Sequence, residues 1–358
     1  MRYNNQKYII VEDTIGNAVQ KAQQNLQQAG SDVEIVYRGD IEKALDDAYR
    51  TNKRANKRGT GEFVSILLVG NAGTGKTARV KSWCKEKGLH LVQKNAQTMD
   101  IADIGGIYSP NEDKTRAINL PNGAFDELNG TDGRGVVLFL DEFNRANSQV
   151  RFTLAQLIDE HKIPDATEEG SYHHFTNLQL VVAAINPATY GVYNTEPLDI
   201  AELNRFRQVE VKPDKLATLN YLTKFYGEQM ELDIEDGDNE SYKENQGRLQ
   251  LATALLKSQS FEFDDNEDIA AAAEAGDSIL SPRSLTRCLE MSDGTKNDFI
   301  SIWDSMCNPK AKGTVERILA NYQDVDDKAN SIFKKDLPFK NSGSANFKKL
   351  RDLSQYED

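Results

Sequence analysis

The sequence predicts an α/β fold, a parallel sheet covered by helices, followed by an all-α domain. Three observations predict it. Between residues 61 and 211, apolar runs at 63–69, 89–92, 136–140 and 180–185 alternate with helical stretches, the βαβ rhythm of a sheet buried on both faces. From about 212 the pattern changes to successive helices. Between the run Ile66-Leu67-Leu68-Val69 and a Pro- and Gly-free stretch at 78–87 stands Gly70-Asn71-Ala72-Gly73-Thr74-Gly75-Lys76-Thr77, of the form G-x-x-x-x-G-K-T.

Taken in order, residues 1–60 are polar and Gln/Asn-rich and read as a helical lead-in on the edge of the core. Ile41, Ala44, Leu45, Ala48 and Tyr49 supply its helical spacing. Arg50, Lys53, Arg54, Lys57 and Arg58 then fall on one helix face, either a solvated tail or a contact for phosphate or an acidic partner. Within the α/β domain at 61–211, a hairpin insert is expected at 103–120, turning at Pro110-Asn111, and a second around 162–178. The all-α domain at 212–306 opens at Pro213 with a helix at 216–230, then an acidic loop at 231–240. Further helices follow at 247–259, 267–275, 282–291 and 296–306. Residues 307–358 form a C-terminal extension, with Phe333, Leu337, Phe339 and Phe347 as docking points.

The chain has 358 residues, enough for two domains, and a net charge of −13, which opposes a DNA-coating role. Cys84, Cys288 and Cys307 lie far apart without a C-x-x-C pair, which argues against a disulfide framework or a zinc site. His173-His174 read as a solvated turn rather than metal ligands. The first residues lack the apolar core of a signal peptide, and no apolar run approaches a membrane span. The cytoplasm is the expected location.

Strand, glycine-rich turn and helix make the Gly70 motif a phosphate-binding loop. Its backbone N–H groups and the start of the next helix cradle an anion. Gly70, Asn71, Ala72, Gly73, Thr74, Gly75, Lys76, Thr77 and Ala78 are therefore the nucleotide-binding set, with Lys76 for the β- and γ-phosphates. Thr77 and Asp141 are the expected Mg²⁺ ligands, Asp141 standing at the end of the apolar run Val136-Val137-Leu138-Phe139-Leu140. Glu142 beside it is placed to deprotonate an attacking water, which points to hydrolysis. Asn186, at the tip of Val181-Val182-Ala183-Ala184-Ile185, suits the γ-phosphate or that water. Arg205 and Arg207 flank Phe206, and Arg283 follows Ser281 as N-cap and Pro282 at the first helical position. Such cations meet the charge that develops on a transferring phosphate.

Together these residues resemble the AAA+ ATPases, and within them the MoxR-like branch, over roughly 61–300. The likeness rests on the loop, on Asp141-Glu142-Phe143-Asn144-Arg145-Ala146, on Ala184-Ile185-Asn186-Pro187, on Leu203-Asn204-Arg205-Phe206 and on Ser281-Pro282-Arg283. It implies a P-loop NTPase sheet with an α-helical lid, ATP and Mg²⁺ as cofactors, Lys76 and Thr77 in Walker A, and Asp141 and Glu142 in Walker B. It further implies Asn186 as sensor 1, Arg205 as an arginine finger acting on a neighbour, and Arg283 as sensor 2. The two hairpins resemble the helix-2 insert and pre-sensor-1 hairpin of that branch. By the same resemblance the chain forms a hexameric ring and remodels a client or adaptor protein. The family usually has Asp or Ser where Asn204 stands, Arg207 competes with Arg205, and Arg145 and Arg151 are further candidates to meet a neighbouring subunit.

Other readings use the same core. A nucleic-acid motor or loader draws on the Arg50 stripe and on Lys334, Lys335, Lys340, Lys348, Lys349 and Arg351, against the acidic balance of the chain. A nucleotide-gated scaffold would have little use for the Asp141-Glu142 pair. A GTPase is disfavoured because Asn52-Lys53-Arg54-Ala55 lacks the Asp that reads guanine and precedes the loop.

Overall fold

The computed structural model describes residues 40–322, apart from 60, 111, 116, 121–122, 131, 165–171, 188–194, 196, 276–277, 307–308 and 321, together with three early strands. These are β1 (Arg2–Tyr3), β2 (Gln6–Val11) and β3 (Val33–Tyr37), β2 pairing antiparallel with β1 and parallel with β3. The lead-in is thus not helical throughout: the β-branched runs Ile9-Ile10-Val11 and Val33-Glu34-Ile35-Val36 favour extended backbone. Its helix is α1 (Asp40–Arg58), with acidic residues in the first turn and basic residues in the last, matching the helix dipole.

Helix α1 covers a face of the main sheet, not its edge as expected. Ile41, Ala44, Leu45 and Ala48 pack with the sheet residues Ile66, Leu68, Phe139 and Val182 in one buried cluster. Each large aliphatic side chain so buried contributes roughly 1.5–3 kcal/mol. The helix is keyed to the sheet by the buried Asn52, which donates to Val64 O and Gln179 O at 3.0 Å each and accepts from Val64 N at 2.8 Å.

The main sheet contains β4 (Ser65–Val69), β5 (His90–Asn95), β8 (Val136–Asp141), β11 (Leu178–Ile185) and β12 (Phe206–Glu210). All five strands are parallel, in the order β12-β4-β11-β8-β5. Strands β4, β8 and β11 are buried on both faces, which explains their uninterrupted apolar runs. β12 went unrecognised in the sequence because it is an edge strand whose Arg207, Gln208 and Glu210 are exposed. On the α1 side lies α2 (Lys76–Lys87), tied to α1 by Arg79 donating to Glu42 at 2.7 Å and Trp83 Nε1 donating to Asp46 at 2.9 Å. On the other face lie α3 (Ile101–Gly105) and α4 (Ser148–Glu160), which bury Ile104, Val150, Leu154 and Leu157.

Both expected hairpins form. β6 (Ile107–Pro110) pairs antiparallel with β7 (Ala117–Leu120), and β9 (Lys162–Pro164) with β10 (Tyr172–His174). His173 and His174 therefore lie in a strand rather than a turn, both exposed, with His173 Nε2 2.9 Å from Asn129 Oδ1. After the short α5 (Ile200–Leu203) and β12, the chain becomes helical: α6 (Lys215–Asp236), α7 (Asn239–Lys257), α8 (Asn266–Ala275), α9 (Pro282–Met291), α10 (Lys296–Met306) and α11 (Pro309–Leu319).

The acidic stretch at 231–240 is not a loop. α6 runs on to Asp236, Gly237 caps it in the left-handed region, and Asp238 caps α7 by accepting from Glu240 N and Ser241 N. The helical core centres on Leu222, Leu255, Phe261, Leu285 and Trp303, and also takes in Val315 and Leu319 of α11, beyond the expected end at 306. Phe333, Leu337, Phe339, Phe347 and the basic cluster from Lys334 to Arg351 lie outside the described residues, as does Cys307. Among the described residues, no helix is long and apolar enough to cross a membrane.

Candidate active site

The phosphate loop leaves the sheet at the C-terminal end of β4 and is anchored there by backbone. Gly70 N donates to Ile185 O at 3.2 Å, and Val211 N to Val69 O at 2.7 Å. Gly70 lies flush against the chain beyond β12, where a Cβ would sit 2.3 Å from Val211 O, so only glycine fits. Gly73 and Gly75 have φ of +81° and +85°, which side-chain-bearing residues rarely adopt. Thr74 Oγ1 donates back to Asn71 O at 2.9 Å and closes the turn. α2 then starts at Lys76 with no side-chain cap, so its first N–H groups are left for an anion.

The register brings three strand tips to one level. Ile185 stands opposite Val69, Ala183 opposite Leu140, and Asp141 is the last residue of β8. The crevice outside the carboxyl ends of such strands is where open α/β sheets bind ligands. Lys76 Nζ is buried there, donating to Gly70 O at 2.6 Å, Asn71 O at 3.0 Å and Asn186 Oδ1 at 3.1 Å. Burial lowers its pKa to about 8. The negative Asp141 raises it, Arg283 lowers it further and Glu142 raises it. Thr77 Oγ1 donates to Asp141 Oδ2 at 3.1 Å, two oxygens side by side of the kind a hard divalent cation takes.

Glu142 sits at φ +53°, in the left-handed region, a conformation that costs a non-glycine residue on the order of 1 kcal/mol. Its N–H donates to Asp141 Oδ1 at 3.0 Å, and its carboxylate lies 3.5 Å from Arg145. The turn that follows buries Asn144, whose Nδ2 donates to Asn186 O at 2.8 Å.

The helical region closes over the loop. Arg283 N donates to Gly73 O at 3.3 Å, and Asn71 Nδ2 to Asn266 Oδ1 at 2.7 Å. A Cβ on Gly73 would lie 2.7 Å from Ser281 Oγ, so glycine is required here by contact as well as by φ. Ser281 caps α9 with Pro282 in the first turn, which leaves the exposed Arg283 at the loop.

Arg205 is elsewhere. It immediately precedes β12, whose first residue Phe206 stands opposite Ser65, the start of β4. The phosphate loop begins at the other end of that strand, roughly 16 Å away at 3.3 Å per residue. Arg205 forms an ion pair with Asp159 at the end of α4. Burial raises the Asp159 carboxyl and Arg205 opposes that shift. Arg207, in β12, is 3.4 Å from Asp47 of α1. Arg151 does not face outward as a contact for a neighbour: its side chain is 5% exposed, 2.7 Å from Glu202, and donates to Ala146 O at 2.6 Å. Arg145 is drawn to Glu142 of its own chain.

The structure thus brings Lys76, Thr77, Asp141, Glu142, Asn186 and Arg283, all expected at the site, together around the loop and leaves Arg205, expected as a finger for a neighbour, outside it. From sequence alone Asn144 had no separate task and Asp159 did not stand out. For Asn144 the signal was a polar residue two positions after the carboxylate pair; for Asp159 there was none short of the fold.

Residues 65–206 match the family model described as the AAA domain of the dynein-related subfamily. The match runs from the first residue of β4 to the first of β12 and supports an AAA+ ATPase core. No curated protein matches the chain.

Proposed function

We propose that the chain is a MoxR-like AAA+ ATPase that hydrolyses ATP with Mg²⁺ and uses the cycle, as a ring, to remodel or activate a partner protein in the cytoplasm. The observation that carries the reading is the meeting of three strand tips: Lys76 on Asn186, Thr77 on Asp141, and Glu142 next in line. A bound Mg²⁺ supplies charge neutralisation of the phosphates, with Thr77 and Asp141 as its holders. Lys76 binds the β- and γ-phosphates in exchange for its present carbonyl partners. Glu142 takes the proton of the attacking water, and Asn186 orients that water against the γ-phosphate. Arg283 senses the γ-phosphate from α9, and its backbone bond to Gly73 carries a change at the loop into the lid.

The finer assignments rest on placement. The β6–β7 hairpin lies between α3 and β8, and the β9–β10 hairpin directly precedes β11, the positions of the two inserts in the MoxR-like branch. Arg205 lies too far from its own loop to serve it, which supports reading it as a finger for a neighbour's site in a ring. The division that goes with this reading is a nucleotide domain at 61–211 and a helical lid at 212–306, supported by the change from alternating strands and helices to successive helices after β12. A nucleic-acid motor is the second reading, favoured by the exposed Arg54, Lys57 and Arg58 on α1. Turnover assayed at low salt with and without single-stranded DNA separates the two, since a motor is stimulated. The reading itself is tested by Glu142→Gln, which should retain ATP and lose turnover by about a hundredfold or more. Undiminished turnover would remove Glu142 as the base.

A further inference from the structure

Asn144 is buried to 2% exposure in the tight turn Phe143–Arg145, two residues after Glu142. Its Nδ2 donates to the main-chain oxygen of Asn186 at 2.8 Å. That carbonyl can only accept, so the amide must turn its NH₂ toward it. Its Oδ1 is then left buried, without a donor among the described residues. The bond falls where the sheet stops helping. The pairing of β11 with β4 ends at Ile185 and Val69, one residue short of Asn186. Pro187 follows, with no N–H and a fixed φ, and disfavours a helical backbone at Asn186. The Asn186 peptide therefore projects past the ladder, and Asn144 is the side chain that ties it down. From the same residue, Asn186 Oδ1 accepts from Lys76 Nζ at 3.1 Å. A continuous polar chain thus runs from the Glu142 turn through Asn144 and Asn186 to Lys76.

We infer that Asn144 is a positioning residue for hydrolysis, holding the Asn186 peptide so that the Asn186 amide faces Lys76 and the γ-phosphate. The inference rests on the reading of Asn186 given above. One turn carries both Glu142 and Asn144, so it fixes the separation between the base and the strand tip that Asn186 occupies. Asn144 itself needs no contact with the nucleotide. Its loss should therefore slow turnover and leave ATP affinity nearly unchanged, a split that general loosening of the fold does not produce.

The test is a double-mutant cycle on the full chain with Asn144→Ala, Asn186→Ala and the pair, reading kcat from steady-state turnover and ATP affinity from a fluorescent ATP analogue. Asn144→Ala should lower kcat by about tenfold with affinity within about threefold, and should add almost nothing to Asn186→Ala. If Asn186→Ala slows turnover and Asn144→Ala does not, the inference is overturned and the reading of Asn186 stands. If the two losses multiply, Asn144 acts independently of Asn186 and the inference fails. If Asn186→Ala leaves turnover intact, the assignment of Asn186 falls and takes this one with it. Should Asn144→Ala lose the nucleotide altogether, Asn144→Asp, which keeps the shape and removes the donor, is judged by the same outcomes.

Discussion

Arg205 and Asp159 form an ion pair within one chain, at the end of the sheet opposite the phosphate loop. Both side chains are about one-third exposed, so the pair sits at the surface, where water competes and its strength is modest. A triphosphate presented by a neighbouring copy is a stronger partner for a guanidinium than this one carboxylate.

Arg205→Ala should therefore keep ATP binding and lose turnover by about a hundredfold or more. Lys76→Ala should lose turnover by losing the nucleotide. Mixed together, the two inactive variants should recover part of the activity, because a ring containing both has some sites with an intact loop facing an intact Arg205. Turnover measured across mixing ratios checks this. No recovery at any ratio would contradict a shared site.

Lys76 gives the nucleotide site a pH dependence. Burial lowers its pKa to about 8 in the free chain, and bound phosphates favour the charged form. The affinity for ATP should be at its full value below about pH 8 and should weaken as pH rises through it. The loss between pH 7 and pH 9 should be roughly tenfold. Calorimetric titration at the two pH values measures it. A flat affinity would mean that Lys76 does not exchange its carbonyl partners for phosphate.

His161 makes the opposite link, to stability. It terminates α4 at φ +54°, stacks on Phe63 with centroids 3.8 Å apart, and its Nδ1 bonds Leu178 O at 3.0 Å. Burial lowers its pKa to about 3, while the bond to Leu178 opposes that shift. The unfolded chain, near 6.5, takes up the proton first, so this contribution is present above pH 6.5 and is lost as pH falls toward 3. Between pH 7 and pH 5 it should cost about 2 kcal/mol of unfolding free energy. Urea denaturation of the chain and of His161→Asn, which tolerates the left-handed backbone, should differ in slope with pH. Equal slopes would contradict the assignment.

Local chemistry was legible in the sequence; geometry between distant residues was not. The loop, Asp141 and Glu142 stand out because β4 and β8 are buried on both faces and their apolar runs end abruptly in polar residues. Helix α9 was legible to the residue because Ser281 and Pro282 mark its start. β12 was hidden, since it is an edge strand of five residues with only Phe206 and Val209 apolar, too few and too unevenly spaced to read as a strand. The stretch at 231–240 read as a loop because its charges masked two helices, although Gly237 and Asp238 are a stop and a start signal side by side. The early strands β2 and β3 were lost in a Gln- and Asn-rich background. Arg151 looked available to a neighbour because no sequence pattern announces that Glu202, 51 positions away, buries it.

The claim on which the rest depends is that the tips of β4, β8 and β11 converge on one magnesium-bound triphosphate. Equilibrium binding of ATP with Mg²⁺ to the unaltered chain, to Glu142→Gln and to Lys76→Ala tests it most directly. The first two should bind alike and Lys76→Ala should bind about a hundredfold more weakly. Binding of equal strength by Lys76→Ala would contradict the account.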